Sequence, residues 1–240
     1  MLASSLSRAA LLSAVLLSPV AAQESGARPP SELQRRSSGS VAFVQSRPAG
    51  AFQKNIGFGY GGSGTYVFRL DHSGALGLRA DAGILGYGNE SFRAPLSSTI
   101  GGRIQVKVST TNYLVPLAIG PQLSWPRGAV RPYVNGGIAT QIFFTESRVE
   151  GTGDGSSFAN TTNQSDGTAS WVAGGGIYVR LSEGKTPVAI DVGTQYFTGG
   201  HAQYLKPGSI EDLPNGQIRI NALESDTPMF LVRIGVRIGL

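Results

Sequence analysis

The sequence predicts an all-β chain: an eight-stranded antiparallel up-and-down β-barrel that crosses a membrane with its strands. Three observations carry that prediction. From Phe230 to Leu240, the residues Phe230, Val232, Ile234, Val236, Ile238 and Leu240 alternate with Leu231, Arg233, Gly235, Arg237 and Gly239. Successive side chains of a strand point to opposite faces, so this strand separates an apolar medium from a polar one. The same period of two recurs in about eight segments, joined by connections that are short and long in turn. Beyond the N-terminal leader, no run reaches the roughly 20 apolar residues a spanning helix needs, so any embedded structure must be β.

The chain opens with Arg8 before the apolar run Ala9 to Leu17, followed by Val20 and Ala22 at the small-residue positions of a cleavage site. Residues 1–22 therefore read as a secretory signal peptide. Gln23, not a cysteine, follows the cut, which argues against a lipid anchor. Residues 23–38 are polar, contain Pro29 and Pro30, and read as a disordered periplasmic lead-in. The barrel domain is expected over 39–240.

Ser40 to Gln45 forms a weak first strand. From Ile56, the residues Phe58, Tyr60, Tyr66, Phe68 and Leu70 share one face, opposite Gly57, Gly59, Gly61, Ser63, Thr65, Val67 and Arg69. After a tight turn at Asp71 to Gly74, Leu76, Leu78, Ala80, Ala82 and Ile84 oppose Gly77, Arg79, Asp81 and Gly83. Gly86 to Gly102 is expected to be a loop. In the next run Ile104, Val106 and Val108 lie on the even phase, whereas Tyr113, Val115, Leu117, Ile119, Leu123 and Trp125 lie on the odd phase. That change of phase predicts a β-bulge near Ser109 to Asn112, because one inserted residue reverses every face after it.

Pro126 to Ala129 makes the second short turn. Val134, Ile138, Ile142 and Phe144 then oppose Arg131, Tyr133, Asn135, Gly137 and Gln141, and Glu150 to Thr168 reads as a long polar loop. Trp171, Ala173, Ile177, Val179 and Leu181 oppose Gly174, Gly176, Tyr178 and Arg180. A short turn at Ser182 to Thr186 leads to Val188, Ile190, Val192 and Tyr196, opposite Asp191, Gly193 and Gln195. The last long connection, Thr198 to about Pro228, carries the hairpin signal Asn215-Gly216. An even strand count with short turns on one side places both termini in the periplasm.

Glycine distinguishes a membrane barrel from a soluble one with an apolar interior. A soluble barrel would cover its polar face with Lys, Glu, Ser and Thr. Here that face carries Gly57, Gly59, Gly77, Gly83, Gly137, Gly174, Gly176, Gly193 and Gly235 with isolated arginines, which suits a crowded lumen. Phe68, Trp125, Phe144, Trp171 and Tyr196 fall near strand ends, as interfacial aromatics do.

The offsets Arg233, Gly235, Ile238 and Leu240 resemble the C-terminal barrel-assembly signal of bacterial outer-membrane proteins, although Leu240 stands where that signal is usually aromatic. The strand and loop rhythm from about Gly39 to Leu240 is similar to small outer-membrane barrels of the OmpA-transmembrane or OmpX type, and the peptidoglycan-binding domain of the two-domain members is not expected. The resemblance implies an outer-membrane location and insertion by the barrel-assembly machinery. It also implies contact with outer-membrane lipid and lipopolysaccharide, a monomeric state, and a structural or surface-interaction role in adhesion or envelope integrity through the external loops, with a ligand for those loops as a further expected partner.

Inside the barrel, Arg69, Arg131, Arg180 and Arg237 are expected at the periplasmic mouth, with Arg79, Asp81, Asp191 and Arg233 one layer further in. Two carboxylates cannot serve six guanidiniums, so Asn135, Gln141, Tyr133, Tyr178, backbone carbonyls, water or an anion complete a lumen polar network. That network reads as a plug, with a narrow anion-leaning channel as the alternative. The composition excludes other chemistry. With no cysteine there are no disulfides, thiolate nucleophiles or thiolate metal sites. A net charge of +5 comes from scattered arginines with no basic run, so nucleic acid is not expected as a partner. No calcium-loop motif is present, and neither a metal nor a cofactor is expected. The two histidines, His72 in a short turn and His201 in the last long connection, lie on opposite sides of the membrane, which argues against an enzyme. The remaining catalytic alternative is a lipid-active site at His201, with Ser209 or Ser225 as nucleophile and Glu211 or Asp212 orienting the ring.

Overall fold

The computed structural model describes residues 36–95, 105–151, 157–182, 186–212 and 218–240. The leader and nearly all of the lead-in expected over 1–38 fall outside the described residues, as do the tip of the Ser182 to Thr186 turn and the Asn215-Gly216 hairpin signal.

Eight long strands close into one barrel. They are β1 (Ser37–Pro48), β2 (Gly59–Arg69), β3 (Leu76–Pro95), β4 (Gln105–Ser124), β5 (Val130–Gly151), β6 (Ser157–Ser182), β7 (Val188–Phe197) and, after four short strands, β12 (Met229–Gly239). Each pairs antiparallel with its neighbours, and β12 returns to β1, from Ser38 opposite Gly239 to Pro48 opposite Met229. Closure leaves no free edge in the wall, the condition for crossing hydrocarbon with strands. A short helix, α1 (Phe52–Asn55), lies between β1 and β2. The connection after β7 carries two small ribbons, β8 (His201–Tyr204) with β11 (Leu223–Asp226) and β9 (Ile210–Asp212) with β10 (Ile218–Ile220).

Within the apolar belt the apolar phase of the barrel strands faces out. Val41, Ile84, Ile119, Ile138, Trp171 and Ile234 are exposed, Val41 at 76% and Trp171 at 67%, while Arg79, Arg233 and Asp191 on the opposite phase are buried. An apolar wall around a polar interior inverts a soluble barrel and matches a barrel bathed in lipid. The turn of residues 70–75 shows how one hairpin is set. Asp71 Oδ1 accepts from the Leu76 amide at 2.9 Å, its Oδ2 accepts from the Ala75 amide and from Ser73 Oγ, and Gly74 takes a left-handed φ of 75°. Asp supplies the side-chain acceptor and Gly the positive φ that such turns need.

Four expectations are corrected. β1 begins at Ser37 and runs to Pro48, longer than Ser40 to Gln45. Gly86 to Gly102 is not simply a loop, because β3 continues to Pro95. Glu150 to Thr168 is largely strand: β5 and β6 stay paired out to Glu150 opposite Ser157. The fourth concerns the bulge. β4 keeps one phase throughout, with Val106, Asn112, Leu114 and Ala118 all buried inside, and the irregularity sits on β3 between Gly86 and Gly88. The common cause is that strands here outrun the apolar belt. Beyond the belt, outward residues turn polar and inward ones turn apolar, so hydrophobicity changes phase although the backbone does not.

As a result β3, β4, β5 and β6 project past the barrel rim as a four-stranded sheet. One row of it pairs Phe92, Val108, Val149 and Ala159, and another pairs Arg93, Lys107, Glu150 and Ser157.

Candidate functional site

The lumen is the candidate site, and it is built in two layers. Around Arg79 and Arg233 lies an ion-pair network formed by residues of inward phase. Arg79 donates from Nε to Asp81 Oδ2 and from Nη2 to Asp81 Oδ1, both at 2.6 Å. This bidentate fork arises because both residues sit on β3 two positions apart and therefore on one face. Arg79 Nη1 donates to Gln122 Oε1 at 2.9 Å, and Thr65 Oγ1 donates to Asp81 Oδ1 at 2.6 Å. From the opposite wall, Gln195 Nε2 reaches Asp81 Oδ2 at 3.1 Å.

Arg233 joins the two walls. Its Nη1 donates to Thr65 Oγ1 at 2.9 Å and to Asp81 Oδ1 at 3.3 Å. Its Nη2 donates to Tyr133 Oη at 2.7 Å and lies 3.0 Å from Asp191 Oδ2. Tyr133 in turn donates to Asp191 Oδ1 at 2.9 Å. Within this layer two guanidiniums face two carboxylates, so each buried charge meets one of opposite sign, as a low-dielectric interior requires. The Tyr133 ring stacks on Tyr178 at 4.4 Å between centroids. Room for its hydroxyl comes from missing side chains: a Cβ at Gly176 would lie 2.4 Å from Tyr133 Oη, and one at Gly193 2.3 Å from it.

Toward the short-turn rim, Arg237 lies 4.1 Å over the Tyr178 ring and donates from Nε and Nη2 to Ser38 Oγ at 3.1 and 2.9 Å. Arg131 makes a second, longer cation–π contact with the same ring at 5.9 Å. Arg69, Arg131 and Arg237 line a cavity of about 10 Å³ there. Arg180 lies on the same rim, its amide bonded to the Ala129 carbonyl.

The second layer fills the loop end of the lumen and is apolar. Leu85, Tyr87, Leu114, Phe143, Val172, Phe197, Met229 and Leu231 turn inward and meet Phe52 of α1 and Tyr204 of β8. Phe52 stands edge-on to Tyr204 at 5.0 Å and to Phe143 at 5.7 Å, a favoured aromatic geometry. Asn55 Nδ2 donates to Tyr204 Oη at 3.0 Å, which ties helix to ribbon. Between the layers a cavity of about 20 Å³, lined by Val44, Gln195, Phe197 and Arg233 among others, has room for about one water.

Asn135 stands in register with Gln122, the acceptor of Arg79, and Gln141 lies nearer the loop end. Gln141 Oε1 accepts from Thr227 Oγ1 at 2.7 Å, whereas Gln141 Nε2 and Asn135 Oδ1 are buried with no hydrogen bond among the described residues. Thr65, Gln122 and Gln195 join the network beyond the expected members, and their polar side chains at inward phase are the signal for it. The apolar plug was not foreseen. Its signal was the inward phase of Leu85, Leu114 and Phe143. The outward aromatics Phe68, Trp125, Phe144, Trp171 and Tyr196 stand on the outer wall, with Phe144 stacked on Tyr113 at 5.0 Å and Tyr196 against Phe230 at 4.8 Å.

Among the described residues no catalytic constellation forms around His201. Its Nε2 lies 3.1 Å from Glu224 and its Nδ1 3.3 Å from Asp226, not against Glu211, which faces Arg219. Ser225 Oγ pairs with Tyr204 Oη, and Ser209 Oγ accepts from the Lys206 amide. Among the described residues no group of three His, Asp or Glu is placed to hold a metal.

Comparison with known proteins follows the same lines. The family model described as the outer membrane protein beta-barrel domain matches residues 9–220. No curated protein matches the chain. Among solved structures, the attachment invasion locus protein Ail of Yersinia pestis is 15% identical, with 84% of this chain and 96% of that one covered and a TM-score of 0.40. Neisserial surface protein A is 11% identical, with 85% and 97% covered and a TM-score of 0.41. For OprG from Pseudomonas aeruginosa the identity is 11%, the coverage 84% and 94%, and the TM-score 0.41.

Proposed function

The chain belongs to the outer-membrane β-barrel domain family, and on that premise we propose that it is a sealed, monomeric barrel whose work is done above the membrane. The projecting sheet of β3 to β6 serves surface contact, in adhesion or envelope integrity. One observation carries this reading. The lumen is filled in both layers, with Arg79 and Asp191 at 2% and 0% exposure and Phe52, Tyr204 and Met229 at 1% or less, so the barrel interior serves stability and the polypeptide beyond the rim is left for function.

The orientation follows from the same logic. Short turns and both termini face the periplasm, as the asymmetry of connections supports, and residues 1–22 direct export and are removed. Arg233, Gly235, Ile238 and Leu240 form the signal read by the assembly machinery. Outward Arg93, Lys107 and Arg148, beyond the aromatic pair Tyr113 and Phe144, meet lipopolysaccharide headgroups. No catalytic step is assigned, because neither Ser209 nor Ser225 is engaged with His201.

The test replaces residues 146–162, the outer half of the β5–β6 ribbon, with a short turn. Heat-modifiable gel mobility reports whether the barrel still forms. We expect a folded barrel whose host cells lose adherence to epithelial monolayers or become detergent-sensitive. A folded, trimmed barrel that leaves both properties at the wild-type level refutes the reading. The channel reading predicts stepwise conductance in planar bilayers from the intact protein, and we expect none.

A further inference from the structure

We infer that the two lumen arginines of the last strand are the strap that holds the barrel closed at its β1–β12 joint. Every other joint of the wall links strands consecutive in the barrel's own hairpin order, tethered by a turn or loop. The joint between β1 and β12 links the two ends of the barrel and has no connecting turn, so nothing covalent keeps the strands together when their backbone bonds open.

Side chains bridge it instead. Arg233 leaves β12, crosses β1 inside the lumen, and donates to Thr65 on β2 and Asp81 on β3, while its other nitrogen holds Tyr133 on β5 and faces Asp191 on β7. Arg237 leaves the same strand lower down and donates to Ser38 on β1. β1 makes the crossing possible. Arg233 starts opposite the inward Val44 and reaches down to Thr65, which pairs with Ser40, so on the way it passes over Ala42 and Ser40, too short to obstruct a guanidinium. The joint beneath is also tight: a Cβ at Gly235 would lie 2.5 Å from that of Ala42 and 2.3 Å from the Val41 carbonyl oxygen.

Arg79 provides the contrast. It is buried as deeply, but its partners Asp81, Gln122 and Thr65 lie on β3, β4 and β2, all on one side of the joint. Both arginines take part in one balanced network, and only Arg233 spans the opening. The strap reading therefore assigns them different effects, whereas a role in general packing assigns them the same one.

The experiment is hydrogen–deuterium exchange by mass spectrometry on the full-length mature barrel in detergent micelles, for wild type, Arg233→Met and Arg79→Met. The strap predicts that Arg233→Met speeds exchange of Val41 to Ser46 and of Leu231 to Val236 at least tenfold more than that of the β5–β6 joint around Ile138 and Trp171. Arg79→Met should show no preference for the β1–β12 joint. Uniform acceleration in Arg233→Met, or the same local pattern in Arg79→Met, overturns the inference. Should Arg233→Met not fold, Ser38→Ala decides, since it removes the acceptor of Arg237 with almost no change in bulk. Faster exchange confined to Ser38 to Ala42 and Gly235 to Gly239 sustains the strap, and wild-type exchange there refutes it.

Discussion

Gly193 and Tyr133 show how a lumen this crowded is specified one atom at a time. A Cβ at Gly193 would press on Tyr133 Oη at 2.3 Å, and the tyrosine cannot swing away because its ring is stacked on Tyr178. Gly193→Ala should therefore cost on the order of 1–3 kcal/mol by overpacking, and it should cost less in a Tyr133→Phe background, where the offending oxygen is absent. Gly176→Ala should not be rescued in this way, because its Cβ would also meet the Val192 carbonyl at 2.3 Å. Urea unfolding in detergent or vesicles gives all three values. Asp191 tests the charge side of the same cluster. Asp191→Ala removes the acceptor of Tyr133 and leaves Arg233 with one of its two carboxylates, and losing one partner of a buried pair costs roughly 3–5 kcal/mol. A loss under about 1 kcal/mol would mean that Asp81 alone can hold Arg233.

At the level of the element, the turn of residues 70–75 makes a pH-dependent prediction. Its hydrogen bonds, that from Ser73 foremost, hold the Asp71 carboxyl below its usual range against the opposing effect of burial. A carboxyl lowered on folding stabilises the folded state fully above its unfolded pKa of about 3.9 and loses that contribution as pH falls through its folded value. Asp71→Asn should therefore be less stable than wild type at pH 7, and the gap should narrow as pH falls below about 4; urea midpoints at the two pH values check it. A constant gap would place the effect in backbone geometry instead. Elements inside the apolar belt were legible because lipid on one side enforces a period of two, as in β2, β7 and β12. Past the rim that enforcement ends. The run Ser157 to Thr168 carries no apolar period yet is strand, held by cross-strand bonds to β5 that no local pattern encodes. Val106 and Val108 misled for the complementary reason: they are apolar toward the barrel axis, not toward lipid.

For the whole molecule, parity made closure and the inward direction of Arg79, Asp81, Asp191 and Arg233 readable, because a side chain's face follows from its place in the strand. Which inward groups touch was not readable. Gln195 meets Asp81 across the lumen, 114 residues away in sequence, and that neighbourhood depends on barrel stagger and on the way Phe52 and Tyr204 enter from the loop end. The result is two seals in series, one aromatic and one ionic, which leads to a prediction about opening them. Phe52→Ala with Tyr204→Ala removes the centre of the upper seal but leaves Arg79, Asp81, Arg233 and Asp191 locked below it, so planar-bilayer recordings should stay silent. Arg79→Ala with Asp81→Ala removes one balanced pair from the lower seal beneath an intact plug, and it should be silent too. Conductance should appear when all four substitutions are combined, because ions then meet neither the centre of the apolar plug nor the Arg79–Asp81 half of the ionic lattice. Current through either double variant alone would show that one layer seals the barrel by itself and that the other serves only stability.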